Sequence, residues 1–384
     1  MEIYLDNAAT TAVYPEAAAL MSHIMCEDFG NPSSLHLKGI EAEKTLRQAA
    51  KDIADILKVK EKNIYFTSGG TEGNNWALAG TAFANRRRGM HIITTQIEHA
   101  AVAEPVKKLE QQGFEVTKLS VDSTGTIDLE ELADAIREDT ILVSIMAVNN
   151  EIGSILPVSE AGHLIKQKNP SAYFHVDAIQ GFCKIPIYPA KAKIDMMSVS
   201  SHKIHGPKGA GFLYIAPGVK IDPLILGGGQ QSGMRSGTDN VPGAVGFALA
   251  AKKMADHLEE NTAHMQSIRG RLIEALSAMP DVVIHGQPYP EGAPHIVNAS
   301  FLGIRSEVLL HSLEEKGIYV SSGSACSSHK RAASATLTAI GCNKAEIESS
   351  VRFSFSELTT EEEIDKTAEA LNELLPVLRR YLRR

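Results

Sequence analysis

The chain has few cysteines for its 384 residues: Cys26, Cys183, Cys326 and Cys342, with no CxxC pair among them. That spacing excludes the usual zinc and thioredoxin patterns and gives no disulfide framework. No apolar run approaches the ~20 residues of a membrane-spanning helix. The opening residues, MEIYLDNAATT, show neither the basic region nor the apolar core of a signal peptide. A cytoplasmic protein with reduced thiols and no membrane contact is expected. Neither GxGxxG nor GxxxxGK followed by Ser or Thr occurs, so dinucleotide and nucleoside triphosphate sites lose their usual fingerprints. Basic charge is not in excess: 38 Lys and Arg against 46 Asp and Glu leave a net charge of −8. That balance argues against direct nucleic-acid binding. The two local basic runs, 86–88 and 379–384, read as helix ends, where cations complement the dipole. Internal repeats and low-complexity segments are also missing.

What is present is an ordinary globular composition, 43% hydrophobic and 22% charged, in a chain long enough for two or three domains. Apolar, β-rich runs recur at 63–67, 91–95, 115–120, 141–148, 173–176, 195–200 and 211–215, with helical patterns between several of them. Short buried strands alternating with helices imply an α/β fold with a mostly parallel sheet and ligands at the strand carboxyl ends. After about Gly243 a long helical stretch, 245–279, leads into shorter strands and a helix starting at the acidic residues from Glu361. The change marks a boundary near residue 257: a large domain over 13–257 and a small α+β domain formed by 1–12 and 258–384.

Several segments carry residues suited to chemistry. SVSSHKIHGPKGAG, Ser198 to Gly211, reads as a strand that ends in hydroxyls, a histidine and Lys203 before a glycine-rich turn. A lysine placed there can form a Schiff base with an aldehyde cofactor, although taken alone it reads better as a solvated loop lysine. In Phe66 to Glu72, a strand runs into hydroxyls and two glycines and then opens a helix. Such a turn cradles a phosphate, although a simple N-cap by Ser68 or Thr71 explains it equally well taken alone. Asp177 ends the apolar run 173–176, where a carboxylate can pair with a pyridinium nitrogen or serve as a turn residue. His99 follows a strand and can stack on a ring or shuttle protons, although taken alone it reads better as a satisfied loop histidine. The loop 227–238, GGGQQSGMRSGT, suits an oxyanion. Cys326 lies among Gly323, Ser324, Ser327 and Ser328, with His329, Lys330 and Arg331 as electropositive neighbours, which favours a reactive thiol. The other three cysteines read as inert small residues. Arg352, on an alternating strand, has a fixed anionic partner: a ligand carboxylate or a structural acid.

Eight motifs in order, TSGGTE, EHAAV, NNEIG, HVDAIQ, SSHKIHGPKG, GGGQQSGMRSGT, SSGSAC and VRFS, make the chain resemble the cysteine desulfurases of the NifS/IscS group. These are class V aminotransferase-like enzymes of the fold-type I pyridoxal-phosphate class, and the resemblance runs from LDNAATT to TTEEEID. It implies a seven-stranded sheet, a homodimer and pyridoxal 5'-phosphate as cofactor. Lys203 would be the Schiff-base lysine, Asp177 the partner of the ring nitrogen and His99 the stacking residue. Gln180 would bond the ring's phenolic oxygen, with Asn150 near that oxygen and the substrate. Gly70, Thr71, Ser200 and His202 would hold the phosphate, joined by Thr238 from the second subunit. Arg352 would clamp the carboxylate of L-cysteine, and Cys326 would take its sulfur as a persulfide, releasing L-alanine. A NifU/IscU-type scaffold for iron–sulfur clusters, or a tRNA-thiolation protein, would receive the sulfur. Two departures stand out. The chain ends at Arg384 without the extended tail of housekeeping members, and Gly73 stands where a serine is common. The competing readings are a selenocysteine lyase or another lyase or transferase of the same cofactor class, and a non-catalytic interaction protein.

Overall fold

A computed structural model of the chain describes residues 2–322 and 334–381. Its strands are β1 (Ile3–Tyr4), β2 (Ile64–Thr67), β3 (His91–Thr95), β4 (Glu115–Leu119), β5 (Thr140–Met146), β6 (Tyr173–Asp177), β7 (Met196–Ser200), β8 (Gly211–Ile215), β9 (Val282–His285), β10 (Ile296–Phe301), β11 (Ile318–Tyr319), β12 (Ser321–Ser322) and β13 (Ser350–Ser354). Seven of them form one sheet in the order β2-β8-β7-β6-β5-β3-β4. Only β8 runs against its neighbours, so the expected α/β fold with a mostly parallel sheet is borne out.

The alternation of side chains along each strand divides the core between the two faces. Met197 and Phe212 join Ile53, Leu57 and Phe247 on one face. Their strand neighbours Met196 and Leu213 join Trp76, Val102 and Leu142 on the other. Every residue of β3, β5, β7 and β8 is therefore buried, as a sheet covered by helices on both sides requires.

A second core gathers Ile3, Leu5, Leu272, Phe301, Phe353 and Leu371. It lies between the antiparallel sheet β12-β13-β10-β9 and the helices Leu258–Ser277 and Glu361–Tyr381. The amino terminus is stitched to it, because β1 pairs in parallel with β11 and Asp6 bridges Ser354. The helical stretch expected over 245–279 is two helices, Val241–Asp256 and Leu258–Ser277, separated at His257. The break has a packing reason. The first helix puts Phe247 and Ala251 into the first core, and the second puts Leu272 and Leu276 into the other. Among the described residues, no helix is long and apolar enough to cross a membrane.

Candidate active site

Three strand ends meet at the carboxyl edge of the large sheet: Thr67 of β2, Asp177 of β6 and Ser200 of β7. Beyond Thr67 the backbone turns through Gly69 at φ 150° and ψ −176°, a conformation open to glycine, and enters the helix Gly70–Asn75. Gly69 is the N-cap residue and no side chain caps the helix, so neither Ser68 nor Thr71 is consumed as a cap. Gly211 makes the close approach possible: a Cβ there would lie 2.6 Å from the Val199 carbonyl oxygen and 2.7 Å from Gly69 Cα. The result is a cavity of about 430 Å³ walled by Ser68, Gly69, Gly70, Thr71, Ser200, His202 and Lys208. Backbone N–H groups at the helix start and hydroxyls on both walls make this an anion cradle. His202 contacts Thr10 Oγ1 through Nδ1 at 3.2 Å. Burial, then the charges of Lys203, Lys208 and Lys184, push its pKa down to about 4, so at neutral pH it is an uncharged hydrogen-bonding group.

Asp177 is buried, and its hydrogen-bond donors are neutral. Asn74 Nδ2 reaches Oδ2 at 2.7 Å, and the Ile179 N–H reaches Oδ1 at 3.0 Å. Burial raises its pKa; the Ile179 bond, His99, Asn74 and Lys203 offset that only in part. The carboxylate is thus short of a cationic partner. Lys203 stands in the turn Ser201–Lys203 after β7, and its Nζ donates to the carbonyls of Ala8 (2.8 Å) and Ala9 (2.5 Å). The LDNAATT segment is therefore drawn over the site. Gln180 is buried behind it, donating to Ala8 O at 2.9 Å and contacting His295 Nε2 at 3.2 Å. His99 caps the helix Ala100–Gln111, with Nδ1 accepting from the Ala101 N–H at 3.0 Å. That bond leaves the neutral ring's proton on Nε2.

Arg352, only 7% exposed, projects from β13. It donates through Nη1 to the Asn150 carbonyl at 2.7 Å and through Nη2 to Asp6 Oδ1 at 2.9 Å. The structural acid left open by the sequence is therefore Asp6. Thr238 is exposed and is not among the residues lining the cavity. Within the loop 227–238, Arg235 turns to an acid of its own chain. Its guanidinium is held by both carboxylate oxygens of Glu72, at 2.9 and 3.1 Å, and this fork consumes its charge. Cys326 and its neighbours, 323–333, lie outside the described residues, as do 382–384. Of the other cysteines, Cys183 is buried and its thiol pKa is pushed up by burial. Cys342 is pushed up to about 11, again mainly by burial, and Cys26 is exposed.

Sequence reasoning assigned no role to Lys208, Asn74, Asp6 or Glu151. Lys208 and Asp6 stood inside quoted motifs, and Glu151 is the acid of NNEIG; nothing local told what each would face.

An anion cradle, a primary amine and a buried carboxylate whose charge is only partly offset are what pyridoxal phosphate asks of a site: its phosphate, aldehyde and pyridinium find their complements. The residues present fit that group.

The aminotransferase class-V family model matches residues 3–367. The chain is 46% identical to a protein named cysteine desulfurase IscS from Methanosarcina thermophila, over 98% of this chain and 93% of that protein. A solved structure titled NifS-like protein superposes with a TM-score of 0.93 at 41% identity, covering 98% of this chain and all of that one. Another, titled SspA in complex with cysteine, gives a TM-score of 0.81 at 33% identity over 94% of this chain and all of that one.

Proposed function

From a chain that belongs to the class-V aminotransferase family and is a cysteine desulfurase of the NifS/IscS kind, we infer that pyridoxal 5'-phosphate is held in the cavity beside Lys203 and that L-cysteine is desulfurised there. The observation that carries the reading is the convergence on one sheet edge of the anion cradle, the Lys203 amine and the cation-deficient Asp177. Lys203 holds the cofactor, Asp177 pairs with its ring nitrogen and His99 covers its face. Gly70, Thr71, Ser200 and His202 grip the phosphate, with Thr238 of a second copy completing the grip in a homodimer. Gln180 and Asn150 serve the ring oxygen. When bound, the cofactor supplies an electron sink for charge developing at the amino acid's α-carbon.

The chain's own groups do the rest. Arg352 binds the cysteine carboxylate in the fork it now offers Asp6. Lys203 Nζ takes the α-proton, and His99 Nε2 carries protons beside it. The Cys326 thiolate attacks the substrate sulfur: an S–S bond forms, the Cβ–S bond breaks, and its electron pair stays with carbon, which is protonated to give L-alanine. The persulfide is then passed to an iron–sulfur scaffold or a tRNA-thiolation protein in the cytoplasm. Residues 13–257 carry the cofactor, and 1–12 with 258–384 form the smaller unit that brings Arg352 and Cys326 to it. A Cys326→Ser variant tests the assignment. It is expected to keep the yellow colour of the cofactor and release no sulfide from cysteine in the presence of a reductant; undiminished sulfide would refute the persulfide step.

A further inference from the structure

We propose that Glu151 is a positioning residue of the substrate-carboxylate site, setting the charge that faces Arg352 and tying that site to the helix Ala335–Ala339. The inference rests on the reading of Arg352 as the group that binds the cysteine carboxylate. Glu151 follows Asn150, whose carbonyl Arg352 grips at 2.7 Å, so the two side chains share one corner of the site. Its carboxylate accepts from Ser334 Oγ at 2.6 Å and from the Thr336 hydroxyl, which itself takes an N–H from Asn149 at 3.3 Å. Ser334 is the N-cap of the helix Ala335–Ala339, and Leu337 of that helix packs with Ile152. The Glu151 backbone is pinned on both sides, its N–H donating to Asn149 Oδ1 (2.9 Å) and its carbonyl accepting from Asn298 Nδ2 (3.2 Å). A carboxylate so fixed serves two purposes. It holds the first helix after 323–333, the stretch containing Cys326, and it places negative charge where an incoming carboxylate must sit.

The charged groups around Glu151 are Arg352 from β13, His99 from the start of the helix Ala100–Gln111, and, through Arg352, Asp6. Burial raises the Glu151 pKa, and its hydroxyl partners, Arg352 and His99 oppose that rise. Protonation of Glu151 removes a like charge from beside the substrate carboxylate, so KM for cysteine falls as pH falls and rises as Glu151 ionises. His99 and Asp6 are present in both the wild type and a Glu151 variant. The ratio of the two KM values therefore isolates Glu151.

The test uses the cofactor-loaded enzyme. Glu151→Gln keeps an acceptor for Ser334 but loses the charge. It is expected to lower KM about 3- to 10-fold at alkaline pH, to converge on wild type at acid pH, and to leave kcat within about twofold. The dissociation constant of L-alanine, which carries the same carboxylate and no thiol, is expected to follow KM. Ser334→Ala loses the tether but not the charge; it lowers kcat and retains the wild-type pH dependence of KM. A Glu151→Gln variant whose KM ratio is flat with pH, or a Ser334→Ala variant with an altered KM profile, overturns the proposal. An Arg352→Ala control that leaves KM unchanged overturns instead the carboxylate assignment on which it rests.

Discussion

Asp177→Asn should stabilise the cofactor-free protein while weakening its hold on pyridoxal phosphate. The substitution is isosteric, and the surroundings accept it. The new Oδ1 keeps the Ile179 N–H, now at 3.0 Å, and a flip of Asn74 turns its Oδ1, buried without a partner among the described residues, toward the new Nδ2. What disappears is a buried charge that Lys203 and His99 offset only in part. Burial raises the Asp177 pKa above its ordinary 3.8, so the wild-type protein loses stability as pH climbs from that value through the raised one. The variant's advantage is absent near pH 4, grows above it and then levels off; about 1–2 kcal/mol is reasonable for a partly hydrogen-bonded buried carboxylate. In the loaded enzyme the sign reverses. A charge-assisted bond to a ring N–H contributes about 1.5–3 kcal/mol, so its loss weakens cofactor binding about 10- to 100-fold. Urea unfolding of the cofactor-free proteins at two pH values, with a spectroscopic cofactor titration, measures both. A variant less stable than wild type at alkaline pH, or one that binds the cofactor as tightly, refutes the reasoning.

Three other outcomes are expected. Glu98, buried beside Asp177, has its pKa pushed up to about 8 by burial first and the Asp177 charge second. Its neutral form favours the fold, so the wild type loses stability as pH rises from about 4.5 through about 8, and Glu98→Gln should flatten that slope in denaturant unfolding. Gly211→Ala drives a methyl into the Val199 carbonyl and the Gly69 backbone, neither of which can swing away. It should cost about 1–3 kcal/mol and loosen the phosphate grip; stability within about 0.5 kcal/mol of wild type speaks against the close-approach argument. Asp6→Asn removes the acid that occupies the Arg352 fork and should lower KM for cysteine severalfold, as competition for the guanidinium falls; a raised KM would contradict it.

The parts of the site legible in the sequence were those written locally. Lys203, Asp177 and Thr67 each stand where an apolar run stops, and a strand's end is visible as a change of residue type. The phosphate turn announces itself through glycine because a φ of 150° demands one. Contacts made across the chain left no such mark. Asp6 and Arg352 are 346 residues apart, and the alternating strand around Arg352 implied an anion without saying which. Lys203 is held by backbone carbonyls of Ala8 and Ala9, groups that every residue carries. The partner of Arg235 is of the same kind: only tertiary packing puts Glu72 beside it. The break at His257 followed from two cores competing for one helical run, which periodicity alone does not record.

Three lysines lie close enough to dispute the central assignment: Lys203 in its turn, Lys208 on the cavity wall and buried Lys184, whose pKa is pushed down to about 7 by burial and then by Lys203. Borohydride reduction of the cofactor-loaded protein, followed by peptide mapping, fixes the cofactor to whichever amine holds it. One pyridoxyl group per chain is expected, on Lys203. The group on Lys184 or Lys208, or no attachment at all, would contradict it.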